Sequence, residues 1–479
     1  MTEPNGGRLP RPGQKTSYLV LSLLAVLAVA VVLPLAGCLR LARPGMTIVL
    51  WDGPRWPDES GNRYHWVEQK IAEFEARHPM VEVVLVPVEW ADMRAMLDAA
   101  KEAGRLPDIA PFDLSAGGIR PEELEAGLLE PVERFLAKPD DVSPQAKEAY
   151  SYGGHLWGFP QTMTGHVLLL NLDLFAERGV QPPKDGRWTW EEFVEASRRL
   201  TFDRDGDRRT DVWGFATYVM PGYYEVWSFL YAAGARPLSA DLKTYTFDTP
   251  EAAAALGSLR DLVLKDKAAH PSTGSSAVRN IFDLFALAER QQVAMEPWAP
   301  WALDYLKTQE GTIKNVGVAA FPDPPAGAGA GGPGAETGAG AGNGAGAGSA
   351  AGDRALTVGA TAGYVVFRQE DSYRRSQVMA LANYLTSAAA QYELARGYRA
   401  FPARKKALEL DPFAGDPAYR RAAEIIFHAA SLPPHPRWPD IERIIQREIQ
   451  LALLGVKPPD AALRDAGTLV RPILEPPKP

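Results

Sequence analysis

Cysteine is nearly missing: a single residue, Cys38, serves a chain of 479. A disulfide framework needs pairs, so none forms within this chain and its fold rests on a hydrophobic core alone. Long basic runs are missing too. With 51 Lys and Arg against 59 Asp and Glu, the formal net charge is −8. An acidic chain of this kind argues against nucleic acid and against an anionic lipid surface as partners. Three catalytic signatures are absent: no His-Glu-x-x-His, no Gly-x-Ser-x-Gly and no Gly-Lys-Thr/Ser phosphate cradle occurs. A pair of carboxylates that hydrolyses glycosides has no such linear signature and stays open as the enzymatic alternative.

What is present begins at the N-terminus. Arg8, Arg11 and Lys15 precede Leu19 to Leu35, a run built almost entirely of Leu, Val and Ala, and Leu35-Ala36-Gly37-Cys38 closes it. A basic stretch, an apolar stretch and small residues at a cleavage point make residues 1–37 a secretory signal peptide. The competing reading is an uncleaved transmembrane anchor, since the run approaches the ~20 residues of a bilayer span. The last four residues resemble the lipobox of bacterial lipoproteins. That resemblance implies lipidation of Cys38, with residues 38–45 tethering the chain to the outer face of the cytoplasmic membrane or in the periplasm.

Two α/β units follow. Thr47 to Trp51 and Val81 to Val88 read as strands, and Pro107 to Ala110 as a third. Helices from Trp66 to Pro79 and from Ala91 to Ala103 separate them, with apolar residues at helical spacing. The pattern restarts after Gly153, with strands at Trp157 to Pro160 and Val167 to Leu170. Thr189-Trp190-Glu191-Glu192 is a capping box that opens a helix through Leu200, and Thr249-Pro250 opens another. Residues 325–352 are alanine and glycine with few exceptions; having little to bury, they are expected to form a disordered loop. A Gly-x-Gly-x-x-Gly match inside that tract (Gly327, Gly329, Gly332) lacks the flanking strand and helix and is accidental. A strand through Gly363 to Phe367 and a helix burying Val378, Leu381 and Leu385 resume the order.

Several segments together resemble the family 1 extracellular solute-binding proteins of ATP-driven importers. They are Tyr152-Gly-Gly-His-Leu-Trp-Gly-Phe-Pro160, Leu170-Asn-Leu-Asp-Leu-Phe175, Thr189-Trp-Glu-Glu192, Ala294-Met295 followed by Trp301, Phe401-Pro-Ala-Arg404, and the closing segment around Ala461 to Leu463. Leu170 replaces a usual tyrosine and Ala299 a usual glycine. The resemblance implies a two-lobed α/β fold, periplasmic-binding-protein-like of type II, joined by crossing hinge strands. The N-terminal lobe would hold residues 46–158 and 359–428, and the C-terminal lobe 159–358 and 429–479. A small-molecule carbohydrate would bind between them, the lobes closing on it for delivery to the membrane subunits of an ABC importer. The implied protein is a monomer without catalysis and without an obligatory cofactor. A surface sugar sensor without an importer uses the same fold and remains the non-enzymatic alternative.

A sugar presents flat C–H faces and a rim of hydroxyls, so its site needs aromatic rings and Asp, Glu, Asn or Arg. Trp51 and Asp52 stand at the C-terminal end of the first strand, where open α/β sheets place ligands; Trp51 reads equally as a core aromatic. Trp56 lies in the Gly/Pro loop beyond. Glu89 and Trp90 end the second strand, and Asp113 follows the third, with helix caps as the alternative for the acids. Glu296, Trp298 and Trp301 form the segment that the resemblance places in the cleft. Tyr223 and Trp227 belong to a cluster that is either cleft or core, and Gly363 would let backbone approach a ligand. These loops offer acids and tryptophans with few cations, Arg55 and Arg94 among them, so the expected ligand is a neutral sugar or polyol. Asp203, Asp205, Asp207 and Asp211 resemble the start of a calcium loop, with Arg208 where glycine is usual and Gly214 where glutamate is usual.

The anchoring is directly testable. Processing at Leu35-Ala36-Gly37-Cys38 predicts that the native protein partitions with membranes and that Cys38→Ser releases it. An intact-mass spectrum showing an unmodified Cys38 in the native protein would overturn this.

Overall fold

The computed structural model describes residues 45–55, 61–115, 117–276, 278–325 and 355–475, with the backbone alone at 278–280. The signal peptide, Cys38, Trp56 and nearly all of the Ala/Gly tract lie outside the described residues.

Strand β1 (Met46–Asp52) pairs in parallel with β2 (Val81–Pro87) and with β3 (Ile109–Ala110). Crossover helices α1 (His65–Arg77) and α2 (Met93–Glu102) connect them. Helix α1 buries Trp66, Val67, Ile71 and Phe74 on one stripe, as the helical spacing predicts. Next come β4 (Phe159–Gly165) and β5 (Val167–Asn171), one continuous run interrupted only at His166. β6 (Met295–Trp298) and β7 (Val316–Ala319) flank β5, and β8 (Thr357–Val366) returns antiparallel to β4. With β9 (Phe401–Pro402) and β10 (Ala429–Ser431), the strands form a seven-stranded sheet ordered β9-β4-β8-β3-β1-β2, β10 beside β8, and a three-stranded sheet β6-β5-β7.

The small sheet is buried on both faces, which is why Val167-Leu168-Leu169-Leu170 is apolar without alternation. Val167 and Leu169 join the core of the large sheet, whereas Leu168 and Leu170 join a second core. Helices α3 (Trp190–Arg199), α4 (Glu225–Ala232) and α5 (Pro250–Leu264) supply that second core. The expected capping box is made: the Thr189 amide donates to Glu192 Oε2 at 2.8 Å and the Glu192 amide to Thr189 Oγ1 at 3.2 Å. The Ala252 amide likewise donates to Thr249 Oγ1 at 3.2 Å, ahead of Pro250. No helix among the described residues is long and apolar enough to cross a membrane.

The chain changes sheets at His166. The Thr357 hydroxyl donates to the His166 carbonyl at 2.7 Å, and the Val358 amide donates to the Ser228 hydroxyl on α4 at 3.0 Å. At this crossing β8 runs so close to β4 that a Cβ on Gly359 would fall 1.8 Å from the Thr164 carbonyl oxygen. Gly359→Ala therefore has to push two backbones apart. We expect it to cost on the order of 1–3 kcal/mol, as overpacking does, read as a lower urea midpoint; an unchanged midpoint would show that the crossing is pliable.

Candidate functional site

Two walls meet at the crossing. The first is the carboxyl edge of β1, β2 and β3, the usual ligand edge of a parallel sheet. Asp52 ends β1 fully buried, and its carboxylate is already engaged. Arg55 pairs with it at 2.6 Å, the Tyr364 hydroxyl donates to it at 3.2 Å, and the Gly53 amide donates at 2.9 Å. Arg55 in turn donates to Tyr364 and lies over the Trp66 ring at 4.5 Å. Asp52 thus holds Arg55 in place instead of offering itself to a ligand hydroxyl, a correction to the reading from sequence. Arg94 is likewise occupied, by Asp98 and by Glu123 at 2.8 Å. Both cations expected near this edge are internally neutralised.

Trp90 is half-exposed at this edge. Its ring leans on Gly53, where a Cβ would come within 2.3 Å of it, and its Nε1 donates to the Pro54 carbonyl at 2.8 Å. A fixed, exposed indole face is the result. Glu89 is exposed and paired with Arg63 at 3.2 Å. Asp113 is partly buried and accepts from the Ser115 hydroxyl at 2.7 Å; burial raises its pKa. Trp51 is a core residue, 4% exposed, as its alternative reading had it.

The second wall belongs to the small sheet. Glu296 and Trp298 share one face of β6, two residues apart. Trp298 stacks on Phe282 with centroids 4.6 Å apart and meets Tyr218 edge-on at 5.4 Å. Trp301 opens α6 (Trp301–Thr308), 55% exposed, with Trp298, Phe282 and Tyr305 between 6.0 and 6.4 Å from its ring. Tyr223 is partly exposed and packs edge-on against Tyr218. His166 Nδ1 lies 2.6 Å from Glu225, which also accepts the Tyr218 hydroxyl. Burial first, then Glu442, Asp113 and Glu225, raises the Tyr224 hydroxyl's pKa.

Trp227 and Gly363 do not belong to this site. Trp227 is fully buried in the second core, its Nε1 donating to Glu442 at 3.1 Å and its ring 5.7 Å from Trp438. Helix α4 is buried on every side, which makes it a core helix. Gly363 serves strand pairing: a Cβ there would meet the Phe159 carbonyl oxygen at 2.1 Å. Sequence reasoning missed His166, Glu225, Tyr218 and Tyr364. A polar residue interrupting the apolar run at His166 was the one local signal.

The calcium-like loop assembles in part. Carboxylate oxygens of Asp203, Asp205 and Asp211 lie within 4.8 Å of one another, while Asp207 accepts from the Arg209 amide at 2.7 Å. Asp203 also accepts two backbone amides, from Gly206 and Arg208, and Asp211 accepts those of Arg204 and Asp205. Three clustered carboxylates supply part of the 6–8 oxygens that calcium takes, with Asp207 outside the cluster.

Residues 58–392 match the family model described as bacterial extracellular solute-binding protein. A binding protein of Brucella abortus is 22% identical over 425 residues, covering 86% of this chain and 90% of the relative. Among solved structures, the cyclic alpha-maltosyl-1,6-maltose binding protein of Arthrobacter globiformis has a TM-score of 0.68 at 20% identity, covering 90% of this chain and 99% of that one. The sugar-binding protein MalE of Xanthomonas citri has a TM-score of 0.67 at 20% identity, with 90% and 97% covered. These likenesses show the two-lobed fold.

Glu296 has strongly perturbed chemistry. Its carboxyl is fully buried with neither oxygen hydrogen-bonded among the described residues. Burial first, then Glu225 and Asp283, raises its pKa well above the ordinary 4.5. Above about pH 4.5 the unfolded chain ionises this group while the folded chain keeps the proton. Stability therefore falls by up to about 1.4 kcal/mol per pH unit until the buried group ionises too. Glu296→Gln removes that slope, so its stability advantage in urea denaturation should widen from pH 5 to pH 7. A gap independent of pH would show that Glu296 titrates as an exposed acid.

Proposed function

Because the chain belongs to the bacterial extracellular solute-binding proteins, we propose that it captures a sugar or polyol between its two lobes and hands it, chemically unchanged, to an ABC importer. The observation that carries this reading is the pair of exposed, braced indoles, Trp90 leaning on Gly53 at the carboxyl edge of the large sheet and Trp301 packed on Trp298, Phe282 and Tyr305 beside the small one. Rigid aromatic faces backed by buried polar groups suit the alternating C–H faces and hydroxyls of a carbohydrate. On this reading the lobe built on the seven-stranded sheet closes against the lobe built on the three-stranded sheet, the chain first passing between them at His166 and not at residue 158 as the sequence suggested. The resemblance of Leu35-Ala36-Gly37-Cys38 to a lipobox supports a lipid anchor at Cys38, which keeps a monomer beside the importer.

A thermal-shift panel of mono- and oligosaccharides on residues 39–479 identifies the ligand. A ligand at ~100 times its dissociation constant adds about 2.7 kcal/mol. With that ligand, Trp301→Ala should weaken binding by about 2 kcal/mol, near 30-fold, in calorimetric titration. Undiminished affinity in both Trp301→Ala and Trp90→Ala removes the aromatic platform. Steady release of shorter sugars from an oligosaccharide would promote the glycosidase alternative.

A further inference from the structure

Trp90 is held by two residues far from it in sequence. Its indole N–H donates to the Pro54 carbonyl at 2.8 Å, and a Cβ on Gly53 would fall 2.3 Å from its ring. An indole has one N–H, so with that proton spent Trp90 offers a ligand the face of its ring and no hydrogen bond. Gly53 and Pro54 are in turn the span between Asp52 and Arg55, which close on each other across it at 2.6 Å. The Gly53 amide donates to the Asp52 carboxylate at 2.9 Å, the Arg55 amide donates to the Arg63 carbonyl at 2.9 Å, and the Pro54 ring fixes its own φ. Two further elements grip the guanidinium that closes the span. The Tyr364 hydroxyl on β8 accepts from it at 3.2 Å and donates to Asp52 at 3.2 Å, and the Trp66 ring on α1 lies 4.5 Å from it. The Arg55 side chain is 14% exposed and that of Asp52 not at all, so water screens this pair little. The Arg63–Glu89 pair beside Trp90 is 48% and 55% exposed, and such a pair contributes little.

We propose that Arg55, secured by Tyr364, is a positioning residue for the ligand platform: it fixes the Pro54 carbonyl, and through that carbonyl the plane in which Trp90 meets a sugar. The binding half of this proposal rests on the sugar reading above. Its physical basis is preorganisation. An indole free to swing about its two side-chain torsions has to be frozen when a sugar ring stacks on it, which costs affinity; an indole already fixed does not incur that cost. The guanidinium suits the task because its fork serves two partners at once. One terminal nitrogen reaches Asp52 and the other Tyr364, while the flat group rests on Trp66. A lysine ammonium keeps the charge beside Asp52 but has neither the fork nor the plane. Tyr364 lies on the same strand as Thr357, so the platform is fastened to the strand that joins the two sheets at the crossing.

The test has one arm without ligand and one with it, both on the mature chain. In the first, proton–nitrogen spectra follow the indole N–H groups, that of Trp90 being assigned by its loss in Trp90→Phe. In Tyr364→Phe and in Arg55→Lys the Trp90 N–H should exchange with solvent about ten-fold faster or more. The Trp227 N–H, which Glu442 holds in the second core, is the internal control and should keep its rate. An unchanged Trp90 rate, or equal acceleration at both indoles, overturns the proposal; should Arg55→Lys fail to fold, Tyr364→Phe decides. In the second arm, calorimetric titration with the sugar found by the thermal-shift panel should show Tyr364→Phe weakening binding by about three- to ten-fold. The same substitution made in Trp90→Ala should cost less than about two-fold, because the residue it acts through is gone. An equal loss in both backgrounds overturns the role in binding. Failure of the whole saccharide panel overturns the sugar reading instead, and the exchange rates then still decide whether Arg55 holds the indole.

Discussion

The antiparallel pairing of Phe159–Gly165 with Thr357–Val366 is the contact on which the rest of the molecule depends. One strand of the pair runs straight on into the small sheet through a single residue, His166. The position of the second wall is therefore inherited from the first through that residue's backbone and the Thr357 hydroxyl that grips its carbonyl. Any approach of the walls has to be taken up at this crossing and at the parallel pairing of β8 with β10. Small residues at Gly165 and Gly359 are what allow the two backbones to pass so closely, and Ser228 ties the crossing to helix α4.

The two walls differ in how their charges are settled. On the first, Asp52 is answered by Arg55 and Glu123 by both Arg94 and Lys101, while Asp113 meets the Ser115 hydroxyl. Such pairs position side chains and rigidify the loops after the strands without leaving a net demand for a counter-ion. On the second wall Glu225 accepts the Tyr218 hydroxyl, while His166 Nδ1, 2.6 Å from Glu225, and both Glu296 oxygens have no hydrogen bond among the described residues. The first wall thus supplies a stable surface and the second supplies the chemistry.

The elements were largely legible from sequence because their causes are local. The Thr189–Glu192 capping box, the proline at the start of α5 and the doubly buried run Val167 to Leu170 each state their structure within a few residues. The site was less legible because its partners meet only through the fold. Asp52 reads as a ligand acceptor until Arg55 and Tyr364 arrive, the latter from a strand more than 300 residues away. Trp227 reads as either cleft or core until helix α4 is seen to be enclosed all round. That enclosure was foreshadowed by the apolar content of Val226 to Ala232, which leaves no polar face for solvent. Trp90 stood at a strand end in the sequence, whereas Trp301 was placed in the cleft by the family resemblance alone; both are exposed.

The double burial of the small sheet also governs when the molecule can fold. The face carrying Val167 and Leu169 shares its core with Ala422, Ala423, Ile425 and Ile426 of the helix Pro417–Ile426. The opposite face shares its core with Ile441, Ile445, Leu463 and Ala466 from the last two helices, Trp438–Leu453 and Pro459–Leu474. Neither face can be covered until the C-terminal end of the polypeptide is available. Contacts of such long sequence separation are slow to form, because the entropy of closing the intervening chain has to be overcome first. A nascent chain with this wiring stays short of its final core until synthesis is nearly complete.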